Sequence, residues 1–162
     1  MFSRRVAMLQ PNQLFDISKA VWQSFSSEPL VAACYSLEIN KIASLQWIYC
    51  HLSADHVVLL GIDSSAGYQL AADMLSTKIE TLSESDEQDA IIELMNCICG
   101  QLDRDHPADE CFDLPQLKEP LEIKGMLNSL KRISEVTAKT GDSYFYIALF
   151  ESDSVEDVGD ME

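Results

Sequence analysis

The apolar residues of this chain change their spacing along its length, and that change limits the folds open to it. From Pro11 onward, Leu14, Ile17, Ala20, Val21 and Phe25, with Asp16, Lys19 and Gln23 between them, follow the period of an amphipathic helix. This helix is expected to end between Ser26 and Pro29. Three β-prone runs come next, Leu30 to Ile39, Ala43 to Leu52 and Asp55 to Ile62, parted only by Asn40-Lys41 and Ser53-Ala54-Asp55. Gaps so short admit no crossover, so the runs read as an antiparallel meander. Ser64-Ser65 caps a second helix that runs to between Met74 and Glu80, and the polar stretch Ser83 to Gln88 introduces a third. A final hairpin is expected from Ile133 to Thr140 and Ser143 to Phe150, turning at Thr140-Gly141-Asp142, with a short apolar piece at Leu121 to Ile123 before it. Strands, helices and strands again predict an α+β domain, an antiparallel sheet of about six strands with helices packed on one face.

Composition bounds the partners. With 162 residues, 47% of them hydrophobic, the chain has material for one proper core. The last twelve residues carry Glu151, Asp153, Glu156, Asp157, Asp160 and Glu162 and no Lys or Arg, so 1–151 reads as one domain and 152–162 as a disordered acidic tail. A formal charge of −16 argues against nucleic acid and anionic lipid, which such a chain repels at long range. Five cysteines, an odd number with no secretory leader, suit reduced thiols in the cytoplasm. The longest strongly apolar run, Val57 to Ile62, falls far short of the roughly twenty residues of a spanning helix, so no membrane insertion is expected.

The third helix, about Asp86 to Leu102, is the most informative segment. Wound at about 100° per residue, it gathers Ile91, Met95, Ile98 and Leu102 on one side and Asp89, Glu93, Asn96 and Gly100 nearly opposite. The first stripe is expected in the core and the second in solvent. Asn and Gly are poor choices for an exposed helix surface, costing from a few tenths to about 1 kcal/mol each relative to Ala, so something other than helix stability selects them. Asp89-x-x-x-Glu93-x-x-Asn96-x-x-x-Gly100 sets a carboxylate and an amide side by side, one turn apart.

At that spacing the sequence resembles the CheC/CheX/FliY family of chemotaxis phosphatases, whose signature is an acidic residue or Ser, a Glu four later and an Asn three later on one helix. From about Pro11 to Glu151 the order of elements resembles that family too. The resemblance implies a phosphatase for the aspartyl phosphate of a CheY-like response regulator. It assigns Asn96 to orient the attacking water, Glu93 to pair with the regulator's active-site Lys, and Asp89 and Gly100 to the supporting surface. This chain would bind no cofactor and no metal; Mg²⁺ is expected on the partner. The family pattern has Pro where this chain has Glu119, with Pro120 beside it, and many relatives follow the helix Gly with Asn where Gln101 stands. CheC-type members resemble a duplicated unit with two active helices. Here Asp16-x-x-x-Ala20-x-x-Gln23 keeps the spacing without the Glu or the Asn, so one active site is expected, as in CheX-type members. The resemblance also allows a homodimer, and an alternative reading of the chain as a noncatalytic module that docks regulators or flagellar-switch parts.

Other features read as structure. Gly100 suits a helix C-cap as well as a contact surface, and Asp89 suits the helix dipole as well as a partner. Without the resemblance, Glu93 and Asn96 would read as a solvated helix face. Cys97-x-Cys99 lacks metal or redox spacing and reads as buried or half-buried thiols. Asp103, Asp105, His106, Glu110 and Cys111 read as a solvated loop, and His51 and His56 as surface residues beside a turn. No Cys is followed six positions later by Arg, and no Gly-rich nucleotide loop is present, so a partner must bring both electrophile and metal.

Overall fold

The computed structural model describes residues 9–34, 36–105 and 113–151. The acidic segment 152–162 and residues 106–112, with His106, Glu110 and Cys111 of the expected solvated loop, lie outside the described residues. The elements are α1 (Pro11–Phe25), β1 (Val31–Ala32), a 3-10 turn (Ile39–Ser44), β2 (Leu45–Ser53), β3 (His56–Asp63), α2 (Ser64–Leu75), a second 3-10 turn (Ile79–Thr81) and α3 (Glu84–Asp105). After these come β4 (Gln116–Lys118), α4 (Pro120–Ser129), β5 (Lys131–Thr140) and β6 (Ser143–Glu151). The strands form one antiparallel six-stranded sheet in the order β1-β5-β6-β3-β2-β4. No helix among the described residues is long and apolar enough to cross a membrane.

The two hairpins expected from the sequence, β2–β3 and β5–β6, meet in the middle of the sheet, where β3 pairs with β6 from His56↔Glu151 to Ile62↔Phe145. Gly141 turns the second hairpin at a φ of +59°, a conformation that favours glycine. Both central strands are buried on both sides, which explains why His56–Ile62 and Tyr144–Phe150 read as continuous apolar runs instead of alternating ones. On one face, Ile48, Val58, Leu60, Ile62, Phe145 and Ile147 pack under α1, α2 and α3. On the other, Trp47, Leu59, Tyr146 and Phe150 pack with Ile42 of the first 3-10 turn and Ile123 of α4. The helices on one face are therefore as expected, and α4 is an addition beneath the sheet.

Four local expectations are corrected. The run Leu30 to Ile39 supplies only the short strand Val31–Ala32, and this pairs with β5 at the far edge, so there is no three-strand meander. The reason is the 3-10 turn at Ile39–Ser44, which buries Ile42 in the lower core and offers its carbonyl to the Trp47 indole N–H at 2.8 Å. Leu121 to Ile123 is the first turn of α4, started by Pro120 and anchored by Ile123, the buried residue of that helix. Asp103 and Asp105, expected in a solvated loop, belong to the last turn of α3, and the edge strand β4 follows, pairing with β2 at Trp47↔Lys118. His56 is not a surface residue but only 1% exposed, because β2 and β6 flank it; its Nδ1 lies 3.1 Å from Ser53 Oγ, and burial pushes the imidazole pKa down against the pull of Glu151 and Asp55.

The sheet ends in short strands. β1 spans Val31–Ala32 and pairs with the Ala138–Lys139 end of β5, and the Ala33 N–H donates to the Thr137 carbonyl beyond it, while the other end of β5 carries exposed Lys131 and Arg132 and an irregular register between Arg132 and Ser134.

Trp47 sits directly opposite Gly61, and a Cβ at Gly61 would lie 2.7 Å from the indole ring. The Ile42 hydrogen bond keeps the ring from swinging aside. Gly61→Ala is expected to cost about 1–3 kcal/mol through overpacking, read as a lower urea midpoint at unchanged slope. A midpoint equal to the parent's would show that the ring yields freely.

Candidate functional site

Helix α3 is fixed at its start by reciprocal bonds between Ser83 and Asp86: the Ser83 N–H donates to Asp86 Oδ2 at 2.9 Å and the Asp86 N–H to Ser83 Oγ at 3.2 Å. Glu84, Asp86 and Glu87 in the first turn complement the helix dipole. The predicted inner stripe is fully enclosed, with Ile91, Met95 and Ile98 at 0% and Leu102 at 1% exposure, and Ala90, Leu94 and Cys99 join it. This leaves the opposite face to solvent. Glu93 and Asp89 are exposed, and Asn96 and Gly100 are half-buried.

The four predicted residues do not share one hollow. Asn96 and Gly100 open onto a groove of about 770 Å³ between α1 and α3, whose far wall is Asp16, Ile17, Ala20 and Val21. Asp89 borders a separate, smaller hollow nearer the start of the helix, against Met74 and Leu75 of α2. Glu93 lines neither of these two hollows. Asp16 and Ala20, the residues that echo the site spacing on α1, thus face the same groove as Asn96.

The Glu93 carboxylate accepts the Cys97 thiol at 3.4 Å. Burial, then the Glu93 bond and charge, push the Cys97 pKa up, with Arg104 pulling weakly the other way, so the thiol keeps its proton and remains a donor. Cys99 is buried and Cys97 half-buried, as the spacing suggested. Gly100 is not a cap, since α3 continues to Asp105. A Cβ there would meet only Arg104 Nη1, at 3.9 Å, so packing within the chain does not demand glycine. Among the described residues no group of three or more His, Cys, Asp and Glu could hold a metal ion.

Sequence reasoning missed two residues that shape this helix. Glu87 is 0% exposed and accepts the Ser64 hydroxyl at 2.5 Å, which ties the start of α2 to the start of α3. Its other oxygen has no hydrogen-bond partner among the described residues. Gly67 makes room for it, because a Cβ there would lie 2.9 Å from the Glu87 side chain. An acidic residue in a first helical turn reads as solvated, and only the small residue facing it on α2 could have signalled otherwise. Arg104, also missed, lines the groove beside Gly100 and donates from Nη2 to Gln101 Oε1 at 2.5 Å.

No protein-family model matches the sequence, and no curated protein matches it at the sequence level. Solved structures do match in shape. The Vibrio vulnificus chemotaxis protein CheX superposes with a TM-score of 0.63 at 12% identity, over 87% of this chain and 95% of its own. The fold is CheX-like. A CheC-like superfamily protein from Shewanella sp. PV-4 gives 0.58 at 14% identity over 87% of this chain and 96% of its own. CheX from Borrelia burgdorferi, in a complex with CheY, BeF₃ and Mg²⁺, gives 0.59 at 11% identity over 85% of this chain and 94% of its own. The CheX-like core carries the helix of Glu93 and Asn96 on its open face.

Burial, with a smaller push from Glu84, raises the Glu87 pKa, and the Ser64 bond offsets part of this. Below the ordinary carboxylate range both folded and unfolded chains hold the proton and the group costs nothing. Above it the unfolded chain ionises first, so stability falls as pH climbs through the raised folded value. Glu87→Gln keeps an acceptor for Ser64 without that penalty. Its melting temperature is expected to match the parent's near pH 4 and to exceed it by about 2–4 °C at pH 8, the shift that about 1 kcal/mol gives in a chain of this size. A difference that does not change with pH would remove Glu87 as the cause.

Proposed function

We propose that this CheX-like chain removes the phosphoryl group from the aspartyl phosphate of a CheY-like response regulator, with Glu93 and Asn96 as its working residues. The observation that carries the reading is the projection of an exposed carboxylate and a groove-lining carboxamide from one open helix face, one turn apart. Support comes from the shared fold with chemotaxis proteins, one of them held in a complex with CheY.

An aspartyl phosphate is an activated acyl phosphate, and the regulator brings its own Mg²⁺ and Lys to neutralise phosphoryl charge. What remains is to hold one water in line with the P–O bond. The Asn96 carboxamide both donates and accepts, so it orients the water oxygen toward phosphorus. The new P–O bond forms as the bond to the aspartyl oxygen breaks; the Asp leaves as carboxylate, and the water's proton passes to phosphate or solvent. A carboxamide does not titrate near neutral pH, so no general base is drawn from this residue. Glu93 pairs with the regulator's Lys and sets the register of α3, and Asp89 and Gly100 border the contact. The reaction belongs to the cytoplasm, and the chain itself needs no cofactor.

Phosphate release from a radiolabelled or acetyl-phosphate-charged regulator tests this. Asn96→Ala is expected to lower the acceleration on the order of 10²-fold, the scale of a misplaced reactant, with an unchanged circular dichroism spectrum. Equal rates for parent and variant would reject the catalytic role. If the parent binds a beryllofluoride-charged regulator yet leaves its hydrolysis rate unaltered, the chain is a docking module instead.

A further inference from the structure

Helix α3 carries seven acids, Glu84, Asp86, Glu87, Asp89, Glu93, Asp103 and Asp105, and one base, Arg104. An aspartyl phosphate with bound Mg²⁺ is surrounded by carboxylates, because Mg²⁺ is held by hard oxygen ligands. Offering a helix this acidic from a chain of charge −16 to such a site is repulsive at long range. The one cation is therefore placed where it can matter.

Arg104 lies eleven residues beyond Glu93, within about 20° of it around the helix. It lines the same groove as Asn96. The guanidinium does not run off the end of the helix. Its Nη2 is bonded to Gln101 Oε1 at 2.5 Å, and its Nη1 lies 3.9 Å from where a Cβ of Gly100 would sit. It is thus held back along the helix, above a residue with no side chain, about one turn from Asn96. A cation fixed before binding loses less conformational freedom when a partner arrives. The charge is exposed, and it borders the groove together with Cys97 and Asn96.

Resting on the phosphatase reading above, we infer that Arg104 is a partner-docking residue, which pairs with acidic groups rimming the regulator's aspartyl phosphate. A general preference for bases in the last turn of a helix predicts only a stability effect. Docking predicts an affinity effect that fades with salt.

The test measures binding of a CheY-like regulator charged with beryllofluoride and Mg²⁺, together with turnover of the phosphorylated form. Arg104→Ala is expected to weaken binding and raise KM by roughly five- to tenfold at low salt, with kcat within twofold of the parent. Arg104→Lys should restore most of the affinity, and the difference between parent and Arg104→Ala should shrink as salt rises. Lys139→Ala, which removes an equal charge from an exposed position of β5, should leave binding unchanged. Three results would each overturn the inference: unaltered binding in Arg104→Ala, an equal loss in Lys139→Ala, or a fall in kcat alone. Asn96→Ala should retain the binding while losing turnover, so failure of docking and failure of catalysis are read on separate axes.

Discussion

The inner stripe of α3 sets everything else. Ile91, Met95, Ile98 and Leu102 lie over the sheet and share one core with side chains of β2, β3 and β6. Rotating the helix would lift several large apolar groups into water, at about 1.5–3 kcal/mol for each fully exposed side chain. The outward face is thereby determined, and Glu93 and Asn96 owe their direction to residues that never meet solvent. Glu87 and Gly67 add a second constraint at the helix start, where α2 approaches closely and a carboxyl is enclosed.

The sheet behind that helix is a double-sided platform. β3 and β6 contribute alternate side chains to two separate cores, one beneath α1 to α3 and one above α4. A large ring on the lower side, Trp47, is accommodated by a glycine on the neighbouring strand. The central pair is thus packed on both of its faces, and α3 lies over the same sheet.

Helical positions were the most legible in the sequence because burial of a helix follows a single period. All four residues assigned to the inner stripe of α3 are enclosed, and Glu93 and Asn96 face outward. Strand content was legible where runs were continuously apolar, as in β3 and β6. Partnering was less so: nothing local in Val31–Ala32 says that it joins β5 across the sheet, since pairing is a long-range choice. Helix α4 escaped notice because Ile123 is its buried residue and Gly125 interrupts its pattern. His56 looked polar and turn-adjacent, but pairing on both flanks enclosed it. The groove was invisible because it is made jointly by α1 and α3, and Arg104 lay beyond the expected helix end.

The manner in which the sheet stops has a bearing on life at high concentration. Open strand edges recruit further strands, and a long flat one would let copies of the chain stack into fibres. Among the described residues one border is a three-residue strand and the other a two-residue strand, and the far end of β5 has an irregular register and carries exposed Lys131 and Arg132. Short, irregular and charged edges of this kind give a neighbour little to zip onto and favour dispersed molecules over growth of aggregates.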